Sequence, residues 1–243
     1  MNKNKFRLTL YLLVAMFSCN KIGPGPGSAT LNIINAVNGG NPLVTSFAGV
    51  SAKGQPLSLL NYFANASEIA YCSSWESGSY LGLTNLSLSQ ISDTLTTIWN
   101  GTLDLPIGSI HTLFLCGDTT NTDTLYITDH IPYYPISDSV AGVRFVNLIS
   151  GSTPISINLQ GNLPFNYEFS NLGYKQITTF NTYNANSTST GSYTFEIRTQ
   201  ATDSLMSTFT WNYTLMRNQT IVLAGSVALQ TNYPIIPFVV NNF

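Results

Sequence analysis

The sequence predicts an all-β protein built as two immunoglobulin-like β-sandwich domains in tandem. Three observations carry this. Apolar and polar residues alternate with period two, as at Ile155, Ile157 and Leu159, at Tyr193, Phe195 and Ile197, and at Phe209, Trp211, Tyr213 and Leu215. Runs of this kind, broken by Gly, Asn and Pro, mark half-buried antiparallel strands. No stretch beyond the N-terminus shows helical periodicity. The chain is also written twice: TLNIINAVNGGNPLVTSFAG from Thr30 is answered by GVRFVNLISGSTPISINLQG from Gly142. A period near 110 residues is too long for a solenoid unit and is the size of a domain. About seven short strands per copy fit a sandwich of that size.

The N-terminus is read first along the chain. Lys3, Lys5 and Arg7 form a basic head, Leu8 to Phe17 an apolar run, and Ser18-Cys19 follows. The run is shorter than the roughly 20 residues that a spanning helix needs, and the layout is that of a secretory signal peptide. A Cys directly after a small residue is the arrangement of a bacterial lipobox, which predicts lipidation of Cys19; plain secretion is the alternative. Asn20 to Ser28, with alternating Gly and Pro, cannot continue a helix or strand and reads as a tether. The expected organisation is a signal peptide over 1–18, a lipidated Cys and flexible tether over 19–28, and sandwich domains over 29–139 and 140–243.

The repeat assigns equivalent positions. At an offset of 112, Asn35 pairs with Asn147, Leu60 with Leu172, Tyr62 with Tyr174, Tyr71 with Tyr183 and Trp99 with Trp211. Leu113 to Gly117 answers Ile221 to Gly225. The first strand of each copy carries an apparent phase slip, Leu31 and Ile33 then Ile34 and Ala36, and Val143 and Phe145 then Val146 and Leu148. A one-residue slip would turn the second half to solvent, so a β-bulge is expected there.

Charged residues are only 8% of the chain and aromatics 12%, which argues against disorder. Without the signal, six basic residues face eleven acidic ones, a balance that gives no footing on nucleic acid or on anionic lipid. The charge is uneven. Residues 29–139 hold Lys53 against eight carboxylates, whereas 140–243 hold four basic and three acidic residues. The first domain is therefore expected to show either a solvated acidic face or a surface for a basic partner.

The opening strand VRFVNL, the strand PISINL, the strand GSYTFEI and the closing apolar strand ending in Ala-Gly resemble the bacterial domain of unknown function 4397. The resemblance covers both copies. It implies a secreted or lipid-anchored tandem β-domain, in a lipoprotein of Bacteroidota type, and brings no site residues with it.

Candidate sites are few. His111 and His130 lack a second ligand at metal-binding spacing, and His111, aligned with Gln219, reads as a polar loop residue. No nucleophile elbow or phosphate loop is present. No catalytic residue, metal or cofactor is therefore expected. Cys116 reads as a small buried side chain. Cys72 lies in a polar stretch, and a Cys72–Cys116 disulfide stays open as an alternative. Asp118, Asn121 and Asp123 form either an Asx-rich turn or a calcium loop. Trp99 and Trp211 are expected in the cores. Trp75 lies opposite the polar stretch Asn-Ser-Thr-Ser and reads as a loop residue that either stacks on a ligand or folds back on its domain. Trp75, Tyr133 and Tyr134 are the candidate ligand-binding residues. The expected role is non-enzymatic: an envelope protein of outer-membrane type, held by its lipid anchor, with an envelope protein as partner, or alternatively a glycan.

Overall fold

The computed structural model describes residues 27–40, 42–47, 69–79, 82–185 and 191–242. The signal segment, Cys19, the tether up to residue 26, Lys53, Leu60, Tyr62 and the stretch 186–190 lie outside the described residues.

The described chain is all β apart from one short 3-10 turn, Ile136–Asp138. Its first half holds β1 (Ala29–Asn35), β2 (Leu43–Phe47), β3 (Ser73–Ser79), β4 (Gly82–Gln90), β5 (Asp93–Leu105), β6 (Ile110–Gly117) and β7 (Thr122–Thr128). Its second half holds β8 (Val140–Asn147), β9 (Ile155–Leu159), β10 (Phe169–Leu172), β11 (Gln176–Ile177), β12 (Asn181–Asn184), β13 (Ser192–Thr199), β14 (Leu205–Asn212), β15 (Asn218–Ala224) and β16 (Ile236–Asn242). Sheet I has the order β3-β1-β6-β7 and sheet II the order β2-β4-β5; together they make the first sandwich. Sheet III has the order β11-β8-β15-β16, with β12 also on β8, and sheet IV the order β10-β9-β13-β14. Two pairings are parallel, β1 with β6 and β8 with β15, at the same place in each copy.

Each sandwich has its own core. Leu31, Ile33, Leu113 and Leu115 from sheet I meet Leu86, Leu88, Leu103 and Leu105 from sheet II. In the second copy, Val143, Phe145, Ile221 and Leu223 meet Ile155, Ile157, Phe195, Ile197 and Trp211. The Trp211 indole is fully buried and donates to Gln219 Oε1 at 2.6 Å. Trp99 packs on the first core as expected but is only half-buried. The β4–β5 register shifts beside Leu88, its cross-strand partner, and its ring lies against Gly101. Tyr193 and Trp211, by contrast, pair in regular register.

A third apolar cluster overturns the expected β-bulge. Ile34, Ala36, Phe114 and Cys116 of sheet I pack against Val146, Leu148, Val222, Ala224 and Val240 of sheet III, all buried. The pairings of β1 with β6 and of β8 with β15 run without a register shift. The strands keep strict period two. What looks like a slip is the onset of burial on both faces, the pattern of a central strand covered on each side. The two sandwiches thus stand back to back along a seam between sheets I and III.

The seam is polar at one end. Arg144 of β8 points into it, its Nη2 bonded to Asp129 Oδ1 and its Nε donating to Thr220 Oγ1 at 2.9 Å, with its guanidinium 4.5 Å from the centre of the Phe180 ring. Asp129 follows β7, its side chain fully buried, and its second oxygen accepts the Thr112 hydroxyl. By register, Thr112 and Thr220 are equivalent, and so are Asp129 and Asn242. Thr220 donates to Asn242 as Thr112 does to Asp129. Arg144 has Asn32 as its counterpart in the repeat.

At the other end, Lys175 Nζ meets Asp123 Oδ1 at 2.8 Å, Tyr174 donates to Cys116 Sγ at 3.2 Å, and Asn38 Nδ2 donates to the Gly225 carbonyl at 3.3 Å. Burial works against the Asp123 carboxylate, yet Lys175 and the Thr124 amide hold its pKa below the ordinary value. Two of the second copy's four cations are therefore spent on carboxylates of the first. The uneven charge has an internal partner.

Removing one member of a buried ion pair strands the other and costs about 3–5 kcal/mol. Asp129→Ala is expected to destabilise the protein by about that much in denaturant unfolding. A loss below about 1 kcal/mol would place the pair in contact with water. Trp211→Ala is likewise expected to cost about 3–5 kcal/mol, and Trp99→Ala distinctly less, in the same measurement.

Candidate functional site

Strand direction sorts the loops into two poles. β1 and β8 start at the same end, where β7 and β16 finish: His111 sits across from Thr128 and Asn218 across from Asn242. The Arg144–Asp129 pair joins the two copies near this end, and Asn38 with Gly225 joins them at the other. The two sandwiches therefore share one polarity, and the described chain enters and leaves at a single pole. This entry pole carries the connections 106–109, 129–139, 160–168 and 213–217. The far pole carries 36–42, 118–121, 148–154 and 225–235.

The predicted ligand residues do not form one cluster. Trp75 lies on strand β3 rather than in a loop, across from Ile33 in the edge strand of sheet I. Its half-buried ring packs on the first core, 6.0 Å from Phe47 between ring centres. The 112-residue offset failed locally. Cys72 and Lys175 both adopt left-handed φ, and their amides bond the carbonyls of the equivalent Asn35 and Asn147. Tyr71 thus answers Tyr174 rather than Tyr183, and Trp75 answers the neighbourhood of Thr178. Tyr133 and Tyr134 lie in the connector between the sandwiches. Tyr133 is exposed, whereas the half-buried Tyr134 lies over Gly142, where an added Cβ would stand 2.8 Å from its ring and 2.1 Å from Asn218 Oδ1. Asn218 also holds the connector by donating to the Pro132 carbonyl at 2.6 Å.

Equivalent buried asparagines shape the far pole. Asn35 Nδ2 donates to the Gly40 and Ile69 carbonyls, and its Oδ1 accepts the Val37 amide. Asn147 repeats this with Ser152 Oγ, the Leu172 carbonyl and the Ile149 amide. Beside them, Asp118 Oδ1 takes the Thr120 hydroxyl at 2.6 Å and the Thr120 and Asn121 amides at 2.8 and 2.9 Å. The Thr120 hydroxyl and these amides hold its pKa low. This is the Asx-turn geometry. Asp123 turns instead to Lys175, its Oδ1 accepting Nζ at 2.8 Å and the Thr124 amide at 2.8 Å.

His111, read as a loop residue, is buried on β6, where its ring stacks on Tyr126 at 5.1 Å and its Nε2 lies 2.8 Å from Ser109 Oγ. Cys72 and Cys116 are free thiols. Burial raises both to about 11, so neither carries thiolate at neutral pH.

One surface hollow of about 490 Å³ is bounded by Asp138, Ser139, Asn184, Ala185 and Tyr213. Ser139 stands in the left-handed region at φ 50°, and its carbonyl accepts the Ala185 amide at 2.7 Å, which fixes the rim. Tyr213 ends an aromatic series with Trp211 at 6.0 Å and Tyr193 at 5.7 Å. A Cβ at Gly191 would meet the Tyr213 hydroxyl at 1.9 Å, so only glycine leaves that ring its place. The hollow offers an aromatic face, a carboxylate, an amide and a hydroxyl. Sequence reasoning assigned Tyr213 to a core-facing alternation and gave no sign that the connector folds beside it.

No family model matches this chain, and no curated protein does. Among solved structures, the chain is similar to the C-terminal domain of AlgF from P. aeruginosa, with 14% identity, 43% of this chain and 100% of that one covered, and a TM-score of 0.28. It is also similar to CBMbc, of family CBM26, from Eubacterium rectale Amy13K, solved with maltoheptaose, with 10% identity, 89% and 97% covered and a TM-score of 0.26. A protein assigned to cell adhesion from Bacteroides uniformis shows 8% identity, 89% and 99% covered and a TM-score of 0.20. These scores are too low for any of the three to bear on ligand or partner.

Trp75→Ala is expected to cost roughly 2 kcal/mol, between the range of surface changes and that of fully buried tryptophans. Thermal melts check this, and an unchanged melt would return Trp75 to the surface. Cys72 and Cys116 are expected to resist alkylation at neutral pH in the native protein and to react on unfolding; rapid native labelling would show an open seam.

Proposed function

We propose that this chain is a non-enzymatic, lipid-anchored envelope protein that acts as a protein-contact, adhesion or structural module. The observation that carries the reading is the seam. It joins two sandwiches of one polarity into a single body whose N-terminal strand starts at one pole, so that the far-pole loops stand away from the anchoring end. Residues 1–19 supply the address: a basic head, an apolar run too short to span, and a Cys after a small residue. An outer-membrane location belongs to the same reading. The far-pole loops, held by Asn35 and Asn147, are the rigid contact elements.

A second reading, glycan binding, is favoured by the hollow at Tyr213. An aromatic face beside a carboxylate and an amide matches the amphipathic surface of a sugar ring.

Cys19→Ala is expected to abolish labelling by a radioactive fatty acid and to move the chain out of the membrane fraction. Equal labelling and partitioning of variant and wild type would end the anchored reading. On a glycan array, any signal is expected to fall at least about tenfold in Tyr213→Ala, the loss of a stacked anchor; an undiminished signal would place sugar binding elsewhere.

A further inference from the structure

Exposed large apolar side chains gather at the entry pole. Leu83 is 78% exposed, Ile107 70%, Tyr133 82%, Ile136 67%, Leu163 77% and Phe165 63%. Leu83 lies beside Asp104 at the start of β4, Ile107 in the β5–β6 turn, Tyr133 and Ile136 in the connector, and Leu163 and Phe165 in the β9–β10 loop. Strand direction puts all four places at the end where β1 begins. At the far pole Leu95, across the β4–β5 hairpin, is 96% exposed, and Ile91, Leu205, Val227 and Leu229 are exposed to between 40% and 52%. Single exposed apolar residues need no explanation, but six of the seven that are more than 60% exposed stand at one pole, which marks a contact surface. Phe165 adds to this: its φ of 63° is a left-handed conformation unusual for a bulky residue, and the turn that imposes it, closed by the Asn166 amide on the Leu163 carbonyl at 3.1 Å, keeps the ring outward.

We infer that the entry pole is a membrane-contacting face, with these apolar side chains entering the boundary between lipid headgroups and acyl chains. The inference rests on the anchored reading. Gly27 begins the described chain at this pole, and Cys19 precedes it by eight residues, a reach of at most about 29 Å. A lipid on Cys19 therefore keeps this pole within one tether length of the bilayer. The charge at the pole selects the kind of lipid. Among the described charged residues at this pole, Arg217, Asp104 and Asp138 are exposed and Glu168 is partly buried, which leaves no basic excess for anionic headgroups. Contact is through apolar and aromatic groups, as for side chains that enter an interface, and zwitterionic lipid suffices.

The test uses the full lipidated chain in phosphatidylcholine vesicles, with and without bromine on the acyl chains, which quenches tryptophan by contact. Leu163→Trp at the entry pole is compared with Leu95→Trp at the far pole, each against wild type; Tyr133→Trp repeats the test on the connector. The expected result is that bromolipid removes at least about half of the added fluorescence of Leu163→Trp and Tyr133→Trp and leaves that of Leu95→Trp unchanged. A chain that pellets with vesicles while both entry-pole tryptophans stay unquenched overturns the membrane face and leaves the anchor standing. A chain that does not pellet overturns the anchored reading and this inference with it. A dimer in detergent that Leu163→Ser converts to monomer assigns the pole to a second copy of the chain and overturns the inference.

Discussion

Four strands, β1, β6, β8 and β15, are covered on both faces, and the rest of the molecule is arranged around that constraint. Each sandwich of about 100 residues can bury its own core. Neither could leave the outer faces of its parallel pair in water without exposing Ile34, Phe114 and Cys116 on one side or Val146, Val222 and Ala224 on the other. Putting the faces together buries them, sets the polarity of the second copy relative to the first, and so decides which loops share a pole. The polar end of the seam adds direction to an otherwise nonspecific contact, since the paired charges of Arg144 and Asp129 are satisfied in one alignment of the sheets.

Much of this was legible in the sequence, because alternation reports which face of a strand is dry. The strands around Ile155, Phe195 and Trp211 follow that rule directly. The same rule was misread in the first strand of each copy. Apolar residues on consecutive positions suit an inserted residue or two dry faces, and here both faces are dry. Nothing local separates these two cases, because the second covering layer comes from more than a hundred residues away. The uneven charge has both an internal and a solvated part. Asp123 and Asp129 meet Lys175 and Arg144 across the seam, whereas Glu76, Asp93, Asp104 and Asp138 stay exposed, as a solvated acidic face requires.

The candidate site was less legible. Trp75 reads as a loop residue because its neighbours are polar, but an edge strand carries polar residues on its open face, so Trp75 reaches the core from between Ser74 and Glu76; His111 reads as one because it aligns with Gln219, which is itself buried on β15. The offset of 112 holds for β1 and β8 but is 108 for β6 and β15, and it fails between them, which is why it matches Tyr71 with Tyr183 rather than with Tyr174. Tyr213 lies on the boundary. Its phase points it at the core, yet its place at the strand end beside Asp138 leaves the ring half in solvent.

The repeat makes one consequence of the polar end visible. Two sheets with equivalent central strands could in principle stack with their own kind, first copy on first copy or second on second, in neighbouring chains. The equivalent positions are Asn32 and Arg144, and Asp129 and Asn242, so the charges fall on opposite copies. A second copy against another second copy would bury two guanidinium groups facing only amides. A first copy against another first copy would bury two carboxylates in the same state. Only the mixed pairing neutralises both, and the short connector supplies that pairing within a single chain. The charge pair thus discriminates against like-with-like stacking, and the connector favours the mixed pairing within one chain over the same pairing between chains. That difference separates a discrete particle from a fibre.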